Sequence, residues 1–470
     1  MVIPVLNNVV RSPVRPLPGA VESTVYALSR QLDDAQLPLR SHGLYYGGAQ
    51  PLAFIAPADV EALKSRIFKL PINLTRLAVD VLADRIRVEG FNTGRGTPRD
   101  LALWRLWKRA AMVEGSDQVT RAALIYGRCP VSVWSAPGAG VSIRPESPAQ
   151  TVIAYDAATG ERAAAFKRWV ADGYGQAVFY APEAVRRLRT ASEVPTGGVL
   201  PAEGWYVTDT IPNPLGVVPV IDLVNRPAVG NIVGVSEMAD VEPLVDAICK
   251  LASDMLVSAE FGARPRRYTL GVEITEDAAG VPVNPFVEGA QRVWQLEGNR
   301  TDAMVGQLDP MSLTPYTEAI SALVHQVAAI SQLPPSMVGI AMNQPASAEA
   351  LRAGEAGLAA RARARQRAFT GPWAEVIRLA VEAADGRAHP ELQDVEPVWS
   401  DPETPTVAQA ADAASKLVGA GILSVDGALD QLGYTPEQRE AERIARRRSA
   451  LDHVGANLST FLSGKDTTTP

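Results

Sequence analysis

Mixed α+β structure, mainly helical, is the expectation for this chain, and three observations carry it. Apolar residues recur at helical spacing over residues 236–263 and again around 316–332. The period shortens to two through much of residues 129–225, where β-branched and aromatic residues alternate with polar ones. Apolar residues make up 47% and charged residues 21%, the composition of an ordered globular protein. At 470 residues the chain exceeds one ordinary core, so about two to four structural regions are expected.

Taken in order, residues 21–36 and 58–90 read as helix, with Leu74, Leu77, Val81 and Leu82 on one face and Gly90 as the stop. Residues 101–127 continue as helix. CPVSVWSAPGAGVSIRPESPAQTVIAYD then opens a small antiparallel sheet, and ERAAAFKRWVA, GQAVFYAPEAVRRLR and GWYVTDTIPNPLGVVPVIDLVN add strands with Gly and Pro at the turns. From Ser236 the pattern is an amphipathic helix, with Val241, Leu244, Val245, Ile248, Leu251, Ala252, Met255 and Ala259 in one stripe. Ser236, Glu237 and Asp240 suit its N-terminus.

The opposite face of that helix is acidic. Glu237, Asp240, Glu242, Asp246, Asp254 and Glu260 stand against Lys250 alone. Such a face is either ordinary solvated surface or a wall past which a polyanion slides, because like charge suppresses phosphate-driven binding. Residues 262–310 form a strand-like insertion, including RPRRYTLGVEI and QRVWQLEG. A helix follows at about 316–332, then a proline-bracketed, nearly uncharged loop, then a long helix from Ser347 to about Glu382. Ser347 is a natural N-cap, with Glu349 one place early for a capping box. Arg361, Arg363, Arg365 and Arg367 are two apart, which divides them into two stripes, so they cannot all face one ligand. They read as surface charge, with inter-subunit pairing or nucleic-acid contact as alternatives. Gly371 and Pro372 are expected to bend or interrupt the helix. WSDPETPT is a turn-rich linker into a final helical region, and residues 456–470 are expected to be a flexible tail.

Chemistry is hard to find. There is no Gly-x4-Gly-Lys-Ser/Thr phosphate loop, no Gly-x-Ser-x-Gly elbow, no His-Glu-x-x-His and no Cys-x2-Cys pair. His42, His325, His389 and His453 are far apart in sequence and read as structural or surface histidines. No catalytic, cofactor-binding or metal-binding residue is therefore assigned, and no cofactor is expected. Net charge is −7, which argues against a protein that coats nucleic acid through a broad basic surface. Cys129 and Cys249 are too few for a disulfide framework, and no signal peptide or run of 18 apolar residues occurs, so an intracellular, reduced chain with no membrane partner is expected.

Five pieces occur in a telling order: LPINLTRLAVDVLADRIRVEGF, GVSEMADVEPLVDAICKLASDML, LPPSMVGIAMNQPASAEALRAGEAGLAARARARQRAF, VWSDPETPTVAQAADAASKL and GILSVDGALDQLG. From about residue 20 to 450 the chain resembles the portal, or head-to-tail connector, proteins of tailed double-stranded DNA phages. The resemblance implies a homo-oligomeric ring, usually a dodecamer, set at one capsid vertex around a DNA channel. It assigns residues 1–235 to an α+β wing, 236–261 and 316–333 to stem helices, and 262–315 to a clip. Residues 334–346 become a tunnel loop, 347–398 a long wing helix, and 399–455 a helical crown. The implied partners are double-stranded DNA passing through the channel, the terminase large subunit, the major capsid protein, and scaffold and head-completion or adaptor proteins. The implied location is the virion, with assembly in the host cytoplasm.

On that reading Ser336, Met337, Val338, Met342, Asn343 and Gln344 ring the DNA. Asn343 and Gln344 can make short-lived hydrogen bonds to its backbone, and the Met and Val side chains can shift against one another. Asp246, Asp254 and Glu260 form an acidic stem lining, and Arg264, Arg266 and Arg267 in the clip contact the terminase. The rival readings are another structural head protein, an adaptor or minor capsid protein, and an enzyme with an unrecognised site. Adaptors are generally much shorter, so length counts against the first.

Overall fold

A computed structural model describes residues 15–51, 71–94, 97–136, 140–195, 197–262, 267–270, 304–307, 312–339, 348–403 and 407–463. The fold is α+β and mainly helical. The chain divides into two compact units. The first comprises Met1–Gln50, Asn73–Glu242 and Ala328–Pro470, and the second Pro51–Ile72 and Pro243–Val327.

In the first unit a six-stranded antiparallel sheet has the order β1-β9-β8-β7-β6-β5, built from β1 (Arg15–Pro16), β5 (Thr151–Tyr155), β6 (Arg162–Ala171), β7 (Tyr174–Tyr180), β8 (Ala184–Glu193) and β9 (Trp205–Pro212). Alternation, interrupted by bulges at Tyr174/Gln176 and Arg187/Leu188, decides its faces. Phe166, Ala177, Phe179, Leu188 and Trp205 form one core with Val25, Leu28 and Leu32 of α1 (Gly19–Gly47). The intervening residues, Lys167, Trp169, Val178 and Arg187 among them, point to the other face. A second sheet, β10-β3-β4, joins β3 (Arg128–Ala136), β4 (Gly140–Pro145) and β10 (Val220–Val224).

The long helix α7 (Ala348–Asp385) packs on β3, β4 and β10. Leu358, Ala362, Phe369, Trp373, Val376 and Ala380 follow helical spacing and are fully buried. Its Trp373 meets Trp107 of α3 (Thr97–Arg109) edge-on at 5.1 Å, and Trp107 meets Phe91 of β2 (Val88–Asn92) at 5.0 Å. The three rings fasten helix to helix to strand. Pro372 does not interrupt α7, contrary to expectation; burial of the residues on both sides of it outweighs one missing backbone hydrogen bond.

Other boundaries also differ from the expected ones. The helix expected to reach Gly90 is α2 (Leu74–Ala83), capped by the Asn73 side chain, which accepts from the Arg76 amide. Residues 88–92 leave it to pair with β13 (Glu396–Trp399), a partner about 300 residues away that no local pattern announces. The stretch 101–127 is two helices, α3 and α4 (Met112–Tyr126), broken at Ala111, whose φ is +56°. The first helix is longer than expected and runs through Pro38. Helices α8 (Val407–Gly419), α9 (Val425–Gln431) and α10 (Pro436–Ser463) close the chain, and α10 extends into the stretch expected as tail.

The second unit holds most of α5 (Glu242–Gly262) and α6 (Thr314–Ser331), and between them β11 (Arg267–Leu270) pairs antiparallel with β12 (Met304–Gln307). The rest of the strand-like insertion lies outside the described residues. Within α5 the expected stripe is observed: Val245, Ile248 and Ala252 are buried and Leu244, Leu251 and Met255 half-buried.

Candidate functional site

Two glycines set the geometry from which the segment leading to α5 departs. Gly127 ends α4 at φ +86° and Gly234 sits against it at φ +78°; a Cβ on Gly234 would lie 2.2 Å from the Gly127 carbonyl oxygen. Only glycine allows both the positive φ and this approach. The Gly127 carbonyl accepts from the Asn225 amide (2.8 Å), and the Asn225 carbonyl accepts from the Val235 amide (3.1 Å). The chain is thereby aimed so that the Glu237 amide donates to the Leu124 carbonyl at 2.8 Å.

Glu237 is the centre of the site. Its side chain is 1% exposed. Arg365 Nε and Nη2 donate to Oε1 at 2.7 and 2.6 Å, Asn225 Nδ2 donates to the same oxygen at 3.0 Å, and Arg361 Nη2 binds Oε2. Burial by itself would raise the Glu237 carboxyl, but the Arg365 and Arg361 guanidiniums and their hydrogen bonds outweigh it and hold it below the usual carboxylate range. Arg361 also donates through Nη1 to the carbonyl of Ser331, the last residue of α6. One carboxylate and two guanidiniums, four residues apart on α7, thus fix the segment before α5 and the end of α6 to the same turn of the long helix. A Cβ on Gly357, one turn earlier, would lie 3.3 Å from Gln332, so α7 meets the chain closely just past α6.

This corrects the expected acidic face. The helix starts at Glu242, not Ser236, and three of the six acidic residues lie at or before its start with partners of their own. Glu237 is the buried centre just described; Asp240 accepts from Arg226 at 2.8 Å; Glu242 Oε1 lies 2.8 Å from His42 Nδ1. Asp246, Asp254 and Glu260 remain on α5 with Lys250, and Lys250 pairs with Asp254 one turn on. The arginines also divide as expected into two stripes. The stripe of Arg361 and Arg365 is not surface charge but serves Glu237, whereas Arg363 pairs with Glu403 and Asp401 at the surface. Their i,i+4 spacing shows that Arg361 and Arg365 share a stripe, but no signal along the chain joins that stripe to Glu237, more than 120 residues away.

Beyond Ser331 the chain turns at Gln332, whose φ is +52°, buries Leu333 and enters a single 3-10 turn, Pro335–Val338. Ser336 is exposed and Met337 and Val338 are half-buried. Met342, Asn343 and Gln344 lie outside the described residues, as do Arg264 and Arg266; Arg267 opens β11. Among the described residues no group of three or more His, Cys, Asp or Glu is placed to hold a metal ion, and no helix is long and apolar enough to cross a membrane.

The portal proteins of Mycobacterium phage D29 and Mycobacterium phage L5 are 29% and 28% identical to the chain, in each case over 97% of it and 95% of the relative. Two solved structures also align. The neck of an empty GTA particle computed with C6 symmetry is 14% identical with TM-score 0.46, covering 81% of this chain and 95% of the other. The neck of the native GTA particle computed with C12 symmetry is 15% identical with TM-score 0.45, covering 84% and 98%. The family model described as phage portal protein, SPP1 Gp6-like, matches residues 60–452, and the chain belongs to that family.

Proposed function

We propose that copies of this chain close into a ring, a dodecamer on the family's pattern, whose central channel passes double-stranded DNA at one vertex of a phage head. The ring docks the terminase large subunit during packaging and head-completion or adaptor proteins afterwards, and it meets the major capsid protein and scaffold at its periphery. The role is structural, without catalysis. The observation that carries this reading is the span of the family match, residues 60–452 of 470.

In this reading α5 and α6 are the stem, and Asp246, Asp254 and Glu260 discourage DNA from sticking to its wall. Residues 334–346 are the tunnel loop, anchored at its base where Arg361 holds the Ser331 carbonyl. Arg264, Arg266 and Arg267 belong to the clip and face the terminase.

Mass measurement in solution together with two-dimensional class averages by electron microscopy tests the assembly, with heterologous contacts closing into a ring with a central hole as the expected result. A strictly monomeric species over a wide range of concentration and salt, with scaffold present, overturns it. Deleting residues 338–344 tests the loop: rings and proheads should still form, but filling or genome retention should fail, since loop shortening with close ends costs little stability. Normal filling removes the tunnel-loop role. Nucleotide hydrolysis or nuclease turnover by the purified protein would overturn the structural role.

A further inference from the structure

A cavity lies in the first unit, lined by residues other than those of the Glu237 site. It is an open groove of about 1110 Å3 in the first unit, between the outer face of the six-stranded sheet and the β3–β4 hairpin. Its walls follow from register. On the sheet side Lys167, Val178 and Arg187 share one cross-strand row, and Trp169, Gln176 and Arg189 share the next. On the hairpin side Ser132 stands opposite Arg144 and Trp134 opposite Ser142. Arg109 completes the lining from the end of α3.

Five cations therefore line the groove, and Glu146 is the one carboxylate among its described lining residues. Glu146 is buried and already bound, at 2.6 Å by Lys167 and at 2.7 Å by the Ser132 hydroxyl. The four guanidiniums of Arg109, Arg144, Arg187 and Arg189 are left as the groove's uncompensated charge, with Asp209 opposite Arg187 on β9 but outside the lining. The Arg189 guanidinium carbon lies 4.2 Å from the centroid of the Tyr174 ring, a cation–π contact that restrains the side chain.

We infer that this groove receives an extended, acidic segment of a partner protein in which carboxylates alternate with apolar side chains. Arg187 and Arg189 are i,i+2 on β8, roughly 7 Å apart along the strand, the repeat at which an extended chain presents alternate side chains. Carboxylates on that face meet the two arginines bidentately, and the apolar side chains between them meet Trp134 on the hairpin wall. The volume exceeds that of an ordinary small-ligand pocket, which runs to about 1,000 Å3. The aliphatic and aromatic floor around Val178 and Tyr180 favours a peptide with apolar side chains over a polynucleotide. The inference is independent of the portal reading.

The test is fluorescence anisotropy on the full-length protein with three labelled probes: a twelve-residue peptide alternating Glu and Leu, the same peptide with Lys for Glu, and a twelve-nucleotide oligothymidylate. The Glu-Leu peptide should bind best. Arg187→Glu with Arg189→Glu should weaken it at least about tenfold, the scale of losing a charge-assisted hydrogen bond. Arg30→Glu, an exposed site on α1, should leave it unchanged. A thermal melt of each variant confirms folding, and Arg187→Gln, at an exposed position, serves if the double reversal fails to fold. Equal binding of the Lys-Leu peptide, preference for oligothymidylate, or indifference to the arginine variants overturns the inference. Loss of self-assembly in those variants also overturns it, by giving the groove to a second copy of this chain.

Discussion

Arg363 and Arg365 are two residues apart on α7, yet Arg365 is 14% exposed and bound to a carboxylate that is 1% exposed, whereas Arg363 is 46% exposed and pairs with a Glu403 that is 58% exposed. Helical geometry puts the two on different stripes. The same guanidinium then holds a backbone junction in one case and decorates a surface in the other. The buried pair cannot be judged by its attraction alone, because desolvation offsets most of it; its importance lies in what happens when one member is removed. The surface pair costs little either way, since water screens it and two long side chains lose entropy to form it.

The largest effect is expected at Glu237. Glu237→Gln leaves two buried guanidiniums without their counter-charge and should cost about 3–5 kcal/mol in urea unfolding followed by tryptophan fluorescence. A loss as small as that of a surface pair would show that the cluster does not hold the junction. Arg365→Ala comes next. Glu237 keeps Arg361 and Asn225, so a loss of about 1.5–3 kcal/mol is expected, the scale of a hydrogen bond to a charged group.

Acid sharpens the same contrast. Because the folded Glu237 carboxyl lies below its ordinary value of about 4.3, its contribution is fully present above that pH and is lost as pH falls through the folded value. The stability gap between the wild-type protein and Glu237→Gln should therefore be constant near neutrality and narrow in strong acid. A gap that narrowed on going from pH 5 to pH 8 would contradict the assignment. The smallest effects belong to the surface: Arg363→Ala, and Asp254→Lys on α5, should each change stability by less than about 1 kcal/mol. If Asp246→Lys with Asp254→Lys leaves ring formation intact but slows packaging most at low salt, the acidic lining of the proposed stem is supported; loss of the rings themselves would assign these carboxylates to subunit contacts.

Much of this was legible along the chain. The period-two alternation of Phe166, Trp169, Phe179 and Arg187 foretells a sheet with two different faces, and the stripe of Val245, Ile248 and Ala252 foretells α5. Family membership was legible as well, in five ordered segments. What stayed hidden depended on contacts between distant residues. Val88 and Gly90 look like the end of a helix until Glu396–Trp399 offers them a strand partner. Pro372 looks like a break until Phe369, Trp373 and Val376 are seen buried around it.

Most element types, the two arginine stripes and the family could be read from the chain alone, because each is written in local spacing, composition or segment order. Only the tertiary structure decided which stripe is buried and which acids remain on α5. A side chain's exposure is set by what packs over it, and Glu237 meets Arg361 and Arg365 across more than 120 residues of chain. No window of sequence reports that meeting. The basic groove is the same kind of fact: Arg144 on the hairpin and Lys167, Arg187 and Arg189 on the sheet are scattered along the chain, and only the fold brings them to one cavity.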